Sequence, residues 1–119
     1  MLLPRPVLLR LTLHSRRRAA DTQGMSADTE FAVVHQPDAH RFVLTHQGTE
    51  VGELTYQQTA GRAALLHTEV LPRLRGRGLA RELVVAAAQW ARTEKLKLTP
   101  VCWYTRVVLE RGDEYRDVL

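Results

Sequence analysis

Apolar and polar positions alternate along the chain from about residue 30 to residue 71, and then switch to a helical spacing. Glu30 to His35 reads as a short strand with Phe31 and Val33 on one face. Gln36-Pro37-Asp38-Ala39 reads as a turn, and Arg41 to His46 alternates again. Gln47-Gly48-Thr49 is a tight connection, so the strands on either side of it are expected to form a hairpin. The third strand, Val51 to Thr59, puts Val51, Glu53 and Thr55 on one face and Gly52, Leu54 and Tyr56 on the other. Ala60-Gly61-Arg62 turns the chain into a fourth strand, Ala63 to Leu71. From Arg77 to Lys95 the spacing is that of an amphipathic helix. Leu79, Leu83, Ala86, Ala87 and Trp90 lie on one side, with Arg81, Val85, Gln89 and Arg92 opposite. Leu98 to Trp103 is a fifth strand, and Arg106 to Arg111 a last short helix ending near Gly112. A strand, a helix and a strand in this order predict a right-handed crossover between two parallel strands. The fold class is therefore α+β, a mixed and mostly antiparallel sheet of about five strands with one main helix and a short C-terminal helix.

The chain has 119 residues, the length of one domain. Its formal charge of +4 sits in the first 24 residues, which hold five arginines and one acid. The remaining residues balance twelve basic against twelve acidic side chains. This opening segment reads as a mis-assigned start ahead of Met25, as a transit-like peptide or as a disordered basic arm. The division is residues 1–24 as an extension and 25–119 as the domain. One cysteine, Cys102, fits a reducing compartment, so a cytoplasmic location is expected, or an organelle if the transit-like segment is genuine and the source eukaryotic. The five histidines lack zinc-like spacing, and no metal is expected. The apolar run near the start falls far short of the ~20 residues that span a bilayer. A neutral domain without interleaved aromatic and basic positions points away from nucleic acid.

Arg73-Leu74-Arg75-Gly76-Arg77-Gly78-Leu79 carries the most chemistry. It lies between a strand and a helix, where the first helical N–H groups lack partners and the helix dipole favours an anion. Glycine there lets a ligand approach the backbone. The loop is not a Walker motif, since no Lys-Ser or Lys-Thr follows Gly78. It is not a Rossmann fingerprint, since Arg81 stands where a third Gly or Ala is needed.

The spacing Arg-x-x-Gly-x-Gly resembles the acyl-CoA pyrophosphate loop of the GNAT superfamily of N-acetyltransferases. Glu69-Val70-Leu71-Pro72 resembles the end of that superfamily's fourth strand. His67-Thr68-Glu69-Val70, Pro100-Val101-Cys102 and Glu114-Tyr115-Arg116-Asp117 resemble its small, truncated YjdJ-type members. The likeness spans roughly residues 30 to 119 and implies a minimal acetyltransferase fold. The helices that usually separate the first and second strands are missing, so the acceptor side is expected to be open.

The resemblance implies acetyl-CoA as co-substrate and an unidentified amine as acceptor. Val70 and Leu71 would bond the pantetheine arm through their backbone. The amides of Arg75, Gly76, Arg77, Gly78, Leu79 and Ala80 would hold the pyrophosphate. Acetyl transfer to an amine needs a base, and His67 and Glu69 share a strand face from which either can act. By the same resemblance Cys102 lies where the thioester would rest, and can accept the acetyl group as a thiolate. No sequence neighbour obviously lowers its pKa, though His67 on the adjacent strand could. Tyrosine is the superfamily's usual acid toward the leaving thiolate. Val108 occupies the position expected for it and Gly112-Asp113 replaces a His-Pro pair, which leaves the leaving group to Tyr104, to water or to no protein acid. An alternative is a CoA-binding module with weak or no catalysis. Oligomeric state is left open.

Overall fold

The computed structural model describes Leu9–Arg10 and residues 30–119. Leu9–Arg10 (β1) lies antiparallel to Phe31–Gln36 (β2). The other readings of the first 24 residues lie outside the described residues. Arg41–His46 (β3), Thr49–Thr59 (β4) and Arg62–Val70 (β5) extend the sheet antiparallel in chain order. Helix α1, Leu79–Glu94, then crosses the sheet, and Lys97–Pro100 (β6) pairs with β5 in parallel. Helix α2, Trp103–Glu110, and a 3-10 turn at Arg116–Val118 end the chain. The five expected strands, the crossover helix and the parallel closing pair are present, so the α+β class holds.

Local chemistry explains most of the connections. Gln47 and Gly48 both have positive φ, 55° and 83°, the backbone of a two-residue hairpin turn that follows the strand twist. Pro37–Ala39 is a single 3-10 turn that joins β2 to β3. The core lies between α1 and one sheet face, where Phe42, Leu44, Leu54, Leu65, Leu83 and Leu98 are fully buried.

Four expectations need correction. The fifth strand stops at Pro100 rather than Trp103, because proline has no N–H for the ladder and the next residues turn into α2. The last helix accordingly starts at Trp103, three residues before Arg106. The buried stripe of α1 is wider than the expected face and includes Val84, Ala88 and Ala91. The sheet covers one side of the helix while α2 and the C-terminal turn cover another. Finally, Val51 is buried together with Leu54 and Tyr56, although strict alternation separates it from them. A bulge is the cause: Leu44 pairs with Gly52 and Thr45 with Glu50, so Val51 is an extra residue that turns to the core side.

Candidate functional site

A second bulge shapes the site. Thr55 pairs with His67 and Tyr56 with Leu65, so Leu66 is the extra residue in β5. Pairing with β6 covers only Arg62 to Leu65. The N–H groups of Val101 and Cys102 then both donate to the Leu65 carbonyl, each at 3.0 Å, and the chain turns off into α2. From Leu66 to Val70 no strand among the described residues lies on that side of β5, so β5 and the β6–α2 segment form the two arms of a fork.

The backbone of β5 is exposed into this fork at defined atoms. The Leu71 N–H donates to the Val51 carbonyl at 3.0 Å, which makes Gly52 and Val70 a pair that exchanges no hydrogen bonds. The N–H and C=O of Val70 therefore point away from β4. Leu71 differs, because its N–H serves β4 and its carbonyl accepts from the Leu74 N–H at 2.9 Å. Of the two residues expected to offer backbone to a ligand, the geometry leaves that capacity to Val70. Gly52 allows the close approach that sets this edge. A Cβ there would lie 2.9 Å from the Glu69 carbonyl oxygen and 3.1 Å from Val70 Cγ2. Gly52→Ala is expected to cost about 1–3 kcal/mol in urea unfolding and to displace Val70. Unchanged unfolding together with unchanged ligand binding would show that the edge tolerates the methyl.

Beyond β5 a 3-10 turn, Pro72–Leu74, is anchored by the buried Leu74. Gly76 and Gly78 follow with φ of 82° and 77°, in the left-handed region, and a Cβ on either would enter open space. Gly78 is the N-cap of α1, and no side chain caps the first helical amides. Leu79 is buried and Ala80 half-buried, so this end of the helix is fixed to the core. Arg73, Arg75 and Arg77 are exposed around the loop. Arg75 Nε donates to the Val70 carbonyl at 3.3 Å.

The side chains expected to do chemistry fall into two groups. His67 and Glu69 are exposed and pair with each other, His67 Nε2 lying 3.3 Å from Glu69 Oε1. Cys102 is half-buried at the start of α2, its Sγ 4.0 Å from the Thr68 hydroxyl. Burial pushes the Cys102 thiol up, but the backbone N–H groups of Thr105 and Tyr104 act against it, followed by the hydroxyl and N–H of Thr68. The net displacement is downward. The expected influence of His67 is thus replaced by amides of α2 and by Thr68. Thr105, fully buried, donates its hydroxyl to the Cys102 carbonyl at 2.7 Å and secures that turn.

Tyr104 is half-buried, and burial raises its pKa; the positive charge of Arg81 opposes the shift and a negative Cys102 adds to it. The phenol keeps its proton at neutral pH beside a thiol that loses its own more readily. Arg81 lies 3.9 Å from Glu114 and also acts on Tyr115. Val108, in the position expected for a tyrosine, packs partly buried against the core. Sequence reasoning missed Thr68 and Arg81. Alternation would have found Thr68, which shares the face of Val70, and position would have found Arg81, in the first turn after Gly78.

Among the described residues no group of His, Cys, Asp and Glu side chains could hold a metal, and no helix is long and apolar enough to cross a membrane. A cavity of about 470 Å³ lies at the other end of α1, beside Arg92, Lys97 and Asp117. Two of its cations are engaged, Arg92 Nε with Asp117 Oδ2 and Lys97 Nζ with the Asp117 carbonyl, both at 2.8 Å.

The profile of the GCN5-related N-acetyl-transferase family matches residues 41–118, well over half of the chain. The chain belongs to that family. The solution structure of a GCN5-like N-acetyltransferase candidate from Staphylococcus aureus is similar, with 26% identity over 72% of this chain and 84% of that one, at a TM-score of 0.59. Two looser likenesses are to Rv2747 from Mycobacterium tuberculosis and to N-acetylglutamate synthase from Neisseria gonorrhoeae. Rv2747, in complex with CoA, is 24% identical over 61% of this chain and 41% of its own, at a TM-score of 0.40. The synthase, complexed with coenzyme A and N-acetyl-glutamate, is 14% identical over 82% and 25%, at a TM-score of 0.47. The family assignment does not rest on these two. No curated protein matches the chain by sequence. Only Pro37–Ala39 and His40 separate β2 from β3.

Proposed function

We propose that this chain is an acetyl-CoA-dependent N-acetyltransferase that acts on an amine. The observation that carries the reading is the uncapped start of α1 behind Gly76 and Gly78, continuous with a fork into which Val70 turns its backbone. The loop amides suit a pyrophosphate, and the fork suits an extended arm with amide groups. Acetyl-CoA, when bound, supplies the activated acetyl thioester. His67, backed by Glu69, takes the proton of the attacking amine directly or through water. Tyr104, held protonated by burial, gives a proton to the departing thiolate.

Cys102 offers a covalent route. Its thiolate attacks the thioester carbon and forms an S-acetyl bond as the CoA sulfur leaves with the Tyr104 proton; the amine then takes the acetyl group, the Cys102 thiolate leaves, and the proton lost by the amine returns to Tyr104. Incubation with acetyl-CoA alone is expected to place one acetyl group on the chain by intact mass, and Cys102→Ala is expected to take up none. Equal uptake by the variant would remove Cys102 from the pathway.

Val108 favours a second reading, a CoA-binding module with little turnover. Thermal unfolding with acetyl-CoA, CoA or ATP tests the binding common to both. A ligand at 100 times its Kd adds about 2.7 kcal/mol, a shift of many degrees in a domain of this size. Stabilisation by both CoA species and not by ATP supports the assignment. No shift with any of them overturns it. CoA release on mixing with amines then separates enzyme from binder.

A further inference from the structure

The contact between Arg75 and Val70 joins the two halves of the candidate site. Val70 belongs to the arm of the fork that faces an extended ligand, and its carbonyl is turned away from β4. Arg75 belongs to the anion loop. In the free chain the two satisfy each other, Arg75 Nε donating to the Val70 carbonyl at 3.3 Å. Each would have its own partner in a ligand that carries both a phosphate and an amide. Arg73 and Arg77, also exposed, make no side-chain hydrogen bond or ion pair among the described residues. Arg75 is therefore the loop arginine whose commitment to a phosphate changes something in the fork.

We propose that Arg75 is a positioning residue that couples the phosphate and pantetheine halves of the site. A phosphate at the loop draws the guanidinium into a stronger, charge-assisted bond. The Val70 carbonyl then loses its donor and becomes an acceptor for an amide N–H of the pantetheine arm. Binding of one half of the ligand thereby favours binding of the other, and thermodynamic linkage makes the effect reciprocal. This inference rests on the reading of the loop and fork as a CoA site. It goes beyond that reading, because two independent half-sites would bind CoA equally well without any such exchange.

The test uses the full chain, with adenosine 3′-phosphate 5′-diphosphate as one half-ligand and pantetheine as the other. Affinities are measured by amide NMR titration, with intact CoA as the control. In the wild type, saturating nucleotide is expected to strengthen pantetheine binding about fivefold, at the low end of ordinary coupling. Arg75→Ala removes both the hold and the pull. Pantetheine alone is expected to bind it at least as well as the wild type, and the nucleotide to add nothing. Arg75→Gln keeps an N–H donor without the charge, so pantetheine should bind it no better than the wild type, again without coupling. Thermal unfolding of each variant checks that this exposed side chain leaves the fold intact. Independent half-ligand binding in a wild type that still binds CoA would overturn the coupling alone. Unaltered coupling in Arg75→Ala would overturn the role of Arg75. Failure of the wild type to bind CoA would overturn the parent reading and this one with it.

Discussion

Gly78→Glu is expected to weaken acetyl-CoA binding by about 100-fold or more while leaving a folded chain. At a φ of 77° a residue with a Cβ is strained, by about 1–2 kcal/mol. The space around the position is open, so nothing in the core has to move. A carboxylate there sits at the positive end of α1, where it serves the uncapped amides that a pyrophosphate would otherwise use. It also repels the incoming anion, and like-charge contacts cost several kcal/mol. Gly78→Ala separates these effects, since it carries the backbone strain without the charge and is expected to retain most of the affinity. Calorimetric titration of both variants reads the difference. If Gly78→Glu binds acetyl-CoA as the wild type does, the loop is a turn and nothing more.

A large effect of pH on stability is expected from a part of the molecule that takes no part in the chemistry. His35 is 5% exposed, stacks on Phe42 with ring centroids 4.1 Å apart, and meets the edge of Trp90. Its Nε2 is hydrogen-bonded to the Tyr56 hydroxyl at 2.6 Å. Burial pulls the imidazole down from 6.5 to about 4 and pushes the Tyr56 phenol up to about 12. Between pH 6.5 and 4 the unfolded chain binds a proton at this histidine and the folded chain does not. Stability is thus full above about pH 6.5 and falls as pH drops toward 4, by about 3 kcal/mol in total. That is a large share of the 5–15 kcal/mol typical of a domain. Tyr56 acts at the other extreme: the folded chain keeps its proton while the unfolded chain loses it, so stability falls as pH rises from 10 toward 12. Urea unfolding from pH 4 to 7.5, compared between the wild type and His35→Gln, isolates the histidine from the carboxylates that titrate in the same range. Parallel curves for the two proteins would show that His35 is not the group responsible.

Much of this fold was legible in the sequence because its determinants are local. Alternation marks each strand, since neighbouring side chains point to opposite faces. Gln47-Gly48 marks a hairpin, since its backbone needs positive φ twice. The order of strand, glycine loop and helix marks the candidate anion site, since the orphan amides of a helix start belong to that segment alone. The family itself could be read from the loop and its flanks, and the profile match over residues 41–118 bears that out.

What the sequence left open depends on residues far apart in the chain. Val51 and Leu66 are ordinary strand residues by pattern, and only the register of β3 against β4 and of β4 against β5 makes them bulges. Those bulges turn Val51 inward and, with Pro100, open the fork. Cys102 reads as the end of a strand. It becomes a helix N-cap because two amides converge on the Leu65 carbonyl and pairing stops, and from there the amides of Tyr104 and Thr105, not His67, act on its thiol. Leu71 is as suitable a backbone partner as Val70 until the hydrogen bonds of β4 and the following turn occupy it. His35 alternates correctly with Phe31 and Val33, but its depressed pKa depends on Tyr56 and Trp90 closing over it. Element type and loop chemistry follow from steric preferances of neighbouring residues, and these the sequence determined by itself. Register, burial and the exchange of hydrogen-bond partners are set by contacts between strands, and those only the tertiary structure decided.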